Sequence, residues 1–184
     1  MNKTFKVILI LTLVSFLSGF FLSFAYKKFN PKILENQKKE TREKIFEIIP
    51  KAQRVEEKLL KDKTINFVYD KKTQLLGYCS VGEGFGYQGK IKVLVCVDKD
   101  FKKILGIDII EHSETPGLGA KITQKNFRDQ FKGLKTDIQI KVKKRKALLE
   151  NNEIQAISGA TISSESVTKI VNETLKELRK ILKK

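Results

Sequence analysis

The sequence predicts an α+β chain: a single N-terminal transmembrane helix, a helical stalk, then a domain whose mostly antiparallel sheet is flanked by helices. Three observations lead there. An uncharged apolar run opens the chain, hydropathy alternates with a period of two through the middle, and an amphipathic run at helical spacing closes it. The expected divisions are 1–28 for tail and anchor, 29–62 for the stalk and 63–184 for the domain.

The anchor comes first. Val7 to Tyr26 reads VILILTLVSFLSGFFLSFAY, 20 residues without a charge, between Lys3 and Lys6 on one side and Lys27 and Lys28 on the other. At about 1.5 Å per residue, roughly 20 apolar residues cross the hydrocarbon core. Thr12, Ser15, Ser18 and Ser23 are tolerable because their hydroxyls can bond back along the helix. The rival is a cleaved signal peptide, with a shorter apolar region and an A-x-A-like site. Ser23-Phe24-Ala25 is a poor version of that site, so a retained anchor is expected. Lysines near the two ends favour a cytoplasmic C-terminal side.

Asn30 to Leu60 is charged and helix-forming, with Ile45, Phe46, Ile48 and Ile49 as an apolar patch before Pro50. Val55, Leu59 and Leu60 continue a helical spacing, so one or two helices are expected, broken near Pro50.

Ile65 to Tyr69 and Leu75 to Val81 then read as strands about a turn at Asp70-Lys71-Lys72. Ile91, Val93, Val95 and Val97 alternate along a third, and Ile104 to Ile110 returns after Asp98-Lys99-Asp100, completing an antiparallel meander. Ile122, Phe127 and Phe131 suggest a short helix ending near Gly133. Ile138, Ile140 and Val142 suggest another strand. At the end, Val167, Ile170, Val171, Leu175, Leu178 and Leu182 share one helical face, with Ser163 or Ser164 as the expected cap.

The formal net charge is +16. It is mostly lysine, for only Arg42, Arg54, Arg128, Arg145 and Arg179 are arginine, and the cations are spread along the chain. Sequence-reading nucleic-acid proteins favour arginine, so no nucleic-acid partner is expected; solvated faces and anionic lipid account for the charge better. Cys79 and Cys96 form no C-x-x-C, and His112 is far from both in sequence, so no metal site is expected. Two buried thiols are the expected state. A turn centred between Tyr87 and Gln88 would nevertheless set the cysteines opposite each other, which leaves a cross-strand disulfide open.

Two loops stand out chemically. Gly82 to Gly89 holds four glycines but lacks the G-x-G-x-x-G spacing and precedes a strand, so it is no dinucleotide fingerprint. Ser158-Gly159-Ala160-Thr161 precedes the last helix. A helix N-terminus offers unpaired N–H groups and partial positive charge to an anion, above all a phosphate. Gly159 and Ala160 remove bulk there, while Thr161, Ser158, Ser163 and Ser164 add hydroxyls. By spacing alone, an ordinary strand-to-helix turn with a serine cap is the preferred explanation of the segment.

The motifs go further. Ser158-Gly159-Ala160-Thr161 resembles the S/T-G-A-T flavinylation motif of FMN-binding domains. His112 to Gly119, HSETPGLG, resembles the E-T-P-G-L-G loop of the G subunit of Rnf electron-transport complexes, and Gly86 to Ile91 is similar to a G-Y-x-G-x-I stretch of that family. A related domain occurs in the C subunit of the sodium-translocating NADH:quinone reductase.

The resemblance implies FMN joined by a flavin transferase to the Thr161 hydroxyl through a phosphoester. Ser158, Gly159, Ala160, Ser163 and Ser164 would surround the attachment. Glu114, Thr115, Gly117, Leu118, Gly119 and Tyr87 would lie toward the flavin. It also implies an inner-membrane, single-pass protein with a cytoplasmic N-terminal tail and its FMN domain outside, among other membrane subunits of an Rnf-type complex. That orientation opposes the lysine count and is preferred, because lysine is abundant throughout the chain. One departure is Gln155, where the family carries an aspartate three residues before the serine; if that acid helps the transferase bind its target, slower or absent flavinylation would follow.

Two function classes result. One is a membrane-anchored electron carrier, with ferredoxin and NAD chemistry on other subunits and no catalytic acid or base here. The other is a non-redox, anchored basic module that binds a partner protein or anionic lipid.

Overall fold

The computed structural model describes residues 3–145 and 147–182. The chain forms two compact units, Met1–Glu40 and Thr41–Lys184.

The first unit is helical. Helix α1 spans Lys3–Ile48. Its apolar window has a mean hydropathy of 2.5 and no buried residue, so it is long and apolar enough to cross a membrane. The Thr12 hydroxyl donates to the Ile8 carbonyl at 2.9 Å, the expected bond back along the helix. The helix ends two residues before Pro50, whose ring disfavours helical backbone at Ile49.

The second unit holds the end of α1 and a five-stranded antiparallel sheet in the order β1-β2-β3-β4-β5. The strands are β1 Arg54–Leu60, β2 Lys63–Tyr69, β3 Leu75–Phe85, β4 Lys90–Asp98 and β5 Ile104–His112. The expected meander is therefore present, with one strand more than expected. Val55, Leu59 and Leu60 are not helical. They lie in β1, and Val55 pairs with Val68. Lys61 and Asp62 have φ of 49° and 62°, the left-handed pair of a two-residue hairpin turn, which folds β1 back on β2. The other turns are held by acids. The Asp70 carboxylate accepts from the Lys72 and Gln74 N–H groups, each at 2.8 Å, and Asp98 accepts from Lys102 and Lys103.

Each face of the sheet has its own core. One face packs Val93, Val95 and Ile107 against Val167, Val171 and Leu178 of helix α3, Thr161–Leu182, with Phe127 and Phe131 beside them. The other face packs Val68 and Leu94 against Ile45 and Ile49. Cys79 and Cys96 sit in this second core as register partners with Cα atoms 4.1 Å apart, joined in a disulfide. The expected free thiols are thus replaced by the cross-strand bridge. Its cause is the hairpin centred between Tyr87 and Gln88, which pairs Phe85 with Lys90 and so Cys79 with Cys96.

Between β5 and α3 the chain is irregular. A 3₁₀ turn at Gly119–Thr123, helix α2 at Lys125–Arg128 and a 3₁₀ turn at Asp129–Phe131 replace the single short helix expected. The strand expected over Ile138 to Val142 shrinks to β6, Lys141–Lys143, paired in parallel with β7, Glu153–Gln155, in a separate small sheet. The reason is local. The Asn172 side chain of α3 takes both backbone groups of Ile140, accepting from its N–H and donating to its carbonyl, each at 3.0 Å.

Candidate functional site

The chain leaves β7 through Ala156, Ile157 and Ser158 and enters α3 at Thr161. The reversal is made at Gly159, whose φ of +78° is one that L side chains rarely adopt. Ser164 locks the turn. Its buried hydroxyl accepts from the Ile157 N–H at 3.0 Å and donates to the Ala160 carbonyl at 2.9 Å. The helix therefore begins before Ser163 and Ser164, which stand in its first turn and are not N-caps; their hydroxyls serve the approaching loops instead.

Ser163 points the other way. Its hydroxyl donates to Glu114 Oε2 at 2.5 Å. Glu114 is buried, and its Oε1 accepts the Gln88 N–H at 3.1 Å. Thr115 Oγ1 adds a second tie by donating to Gln88 Oε1 at 2.6 Å. One carboxylate thus joins three segments distant in sequence: the glycine-rich hairpin, the loop from Glu114 to Gly119 and the first turn of α3. Glycine is required around it. A Cβ at Gly86 would lie 2.2 Å from Glu114 Oε1, and one at Gly119 would lie 2.4 Å from Oε2. At the hairpin's base, the hydrogen bond from Lys90 holds the Glu83 carboxyl below its ordinary range, against the opposing effect of burial.

The residues facing outward differ in kind. Thr161 is half-buried, and its hydroxyl has no hydrogen-bond partner among the described residues. Ser158 is exposed beside it. Tyr87, Leu118 and Ile162 are exposed apolar side chains, and Leu118 Cδ2 lies 3.6 Å from where a Gly159 Cβ would stand. Gly117, at φ +76°, has open space about it. The arrangement is a frame around two uncommitted hydroxyls, Ser158 in the turn and Thr161 at the positive end of a 22-residue helix.

Two contributors escape a reading of the motifs alone. Gln88 is the middle of the Glu114 and Thr115 ties. Gln130 clamps Gln155: its Oε1 accepts the Gln155 N–H at 2.6 Å and its Nε2 donates to the Gln155 carbonyl at 3.3 Å. Only the glycines on both sides of Gln88 hinted at such a position; nothing in the sequence marks Gln130.

The sequence profile of the FMN-binding domain matches residues 86–176, which takes in Gln88, Glu114 and Ser163, one residue from each converging segment. The G subunit of the proton-translocating ferredoxin:NAD(+) oxidoreductase complex of Clostridium ljungdahlii is 31% identical over 177 residues, covering 96% of this chain and 92% of that one.

The chain belongs to the G-subunit family of ion-translocating oxidoreductase complexes.

Another G-subunit relative, from Methanosarcina acetivorans, is 31% identical over 170 residues, with 88% of this chain and 87% of the relative covered. A crystal structure of the C subunit of the Na(+)-translocating NADH-quinone reductase from Parabacteroides distasonis has a TM-score of 0.56 at 29% identity, over 66% of this chain and 64% of that one. NqrC of Shewanella oneidensis shares the fold, with a TM-score of 0.55 at 24% identity, over 61% and 55% of the two chains. The family and the fold that the motifs led one to expect are those found.

The residues fit an FMN phosphate on one structural ground. Gly159 presents no side chain, and the adjoining Thr161 oxygen is unengaged at a helix N-terminus, where an anion is favoured.

Proposed function

We propose that this G-subunit homologue carries electrons through FMN held by a phosphoester on Thr161, as one member of an Rnf-type ion-translocating ferredoxin:NAD oxidoreductase complex. The observation that carries the reading is the uncommitted Thr161 hydroxyl inside a frame locked by Ser164 and by the Glu114–Ser163 bond. A phosphodiester keeps one negative charge, and the N-terminus of α3 favours it there. Ser158, Gly159 and Ala160 leave room for the phosphate. Thr115, Gly117, Leu118, Gly119 and Tyr87 form the loops on the cofactor's side.

Bound FMN supplies one- and two-electron transfer; the protein supplies tether, orientation and tuning. The partners are the complex's other membrane subunits, a flavin transferase for maturation, and lipid around α1. The anchor is the apolar part of α1. The Cys79–Cys96 disulfide supports placing the domain on the extracytoplasmic face of the cytoplasmic membrane, because disulfides persist in oxidising compartments. That support is independent of the resemblance and agrees with it against the lysine count.

The test is the intact mass of the full chain produced together with a flavin transferase. The reading expects one added FMN, absent from Thr161→Ala; an unmodified wild-type chain would overturn it.

A further inference from the structure

Beside the Ser158–Thr161 turn lies a cavity of about 320 Å³, between the segment that follows the Glu114–Gly119 loop and the strand leading into the turn. Lys121, Gln124 and Asn126 line one side, and Gln155, Ile157 and Ser158 the other. Its volume is at the low end for small-molecule sites, about 300–1,000 Å³, which suits one planar ring system better than a whole nucleotide.

The lining specifies the chemistry. Four carboxamides line it, and the three that Gln130 leaves, Gln124, Asn126 and Gln155, offer donors and acceptors together, matching a ring edge that alternates carbonyl, N–H and carbonyl. Ile157 gives an apolar surface for a ring face. Lys121 brings a positive charge and makes no ion pair among the described residues, and no acid lines the cavity. An unneutralised cation favours electron density on whatever binds beside it. The wall is held in place, because both polar atoms of the Gln130 amide are engaged with the Gln155 backbone.

We propose that this cavity seats the pyrimidine edge of the isoalloxazine ring, and that Lys121 is the positioning and tuning residue that eases its reduction. The proposal rests on attachment at Thr161. Ser158 lines the cavity and Thr161 follows three residues later, a separation that a ribityl phosphate spacer can bridge.

The experiment uses the full chain loaded by co-production with a flavin transferase, with the adduct verified by mass before anything else. Equilibrium redox titration and the visible circular dichroism of the flavin bands are then compared among variants. Lys121→Gln is expected to disfavour reduction about tenfold, ~30 mV for a two-electron couple. Lys121→Arg is expected to keep the wild-type value. Gln155→Asp, which sets an acid on the same wall, is expected to act like Lys121→Gln. Asn126→Trp fills the cavity and is expected to abolish the visible dichroism and to raise iodide quenching of the flavin, with the adduct mass unchanged. Should that variant misfold by far-ultraviolet dichroism, the Lys121 pair decides alone. Loaded Lys121→Gln with wild-type potential and dichroism overturns the cavity assignment and leaves attachment standing. A wild-type chain without the adduct overturns both, and the mass measurement separates the two failures.

Discussion

Glu114 and Ser163 meet across 49 residues of chain, carboxylate to hydroxyl at 2.5 Å, and nearly no solvent reaches either. The bond closes a frame in which the glycine-rich hairpin, the Glu114–Gly119 loop and the first turn of α3 hold one another. It also explains why the chain has glycine at 86 and 119, where a Cβ would collide with the carboxylate. Glu114 is thereby a positioning residue, engaged by protein partners on both oxygens.

Glu114→Ala should remove the acceptor for both Ser163 and the Gln88 N–H. A buried polar group left unsatisfied costs about 1–3 kcal/mol, so a loss of roughly 2–4 kcal/mol is expected, read as a lowered denaturant midpoint. Glu114→Gln keeps one acceptor oxygen and should lose less. Equal, negligible losses in both would show that the frame does not depend on this carboxylate.

Gly159→Val should be worse for the site than for the fold. A β-branched residue at φ +78° is strained by roughly 1–3 kcal/mol, and relief of that strain moves the turn that presents Thr161. The expected outcome is a modest fall in melting temperature with a large loss of FMN incorporation, measured by intact mass. Ser164→Ala, which frees the Ile157 N–H, should act in the same direction and more weakly.

Reduction of the Cys79–Cys96 bridge, whose partners are 17 residues apart in sequence, should destabilise the domain by about 3 kcal/mol. Both sulfurs are in the core behind α1, so the oxidised native protein should show no alkylation by iodoacetamide. Two alkylated cysteines in native protein taken from the host membrane would contradict the bridge and remove its support for the extracytoplasmic face.

Much of this was legible in the sequence. Alternation of Ile91, Val93, Val95 and Val97, with acidic turns at Asp70 and Asp98, marks strands that bury one side on α3. The hairpin centre between Tyr87 and Gln88 already implied the cysteine register, although not that the bond forms. Arg54 to Leu60 misleads because RVEEKLL satisfies helical spacing and helix propensity; its strand state comes from pairing with β2 through the Lys61-Asp62 turn, a tertiary cause that outweighs local preference. Ile138 to Val142 alternates like a strand, yet Asn172 of α3 takes the Ile140 backbone. Motif matching pointed to Glu114 and Ser163, but their mutual bond depends on two loops meeting, which no spacing encodes.

The central claim is the modification of Thr161. Its most direct test is tandem mass spectrometry of the peptide containing Ser158 to Thr161, from protein isolated out of the host membrane. The account predicts a fragment series placing one FMN phosphate on Thr161 and none on Ser158, Ser163 or Ser164. A fully covered, unmodified peptide would contradict it.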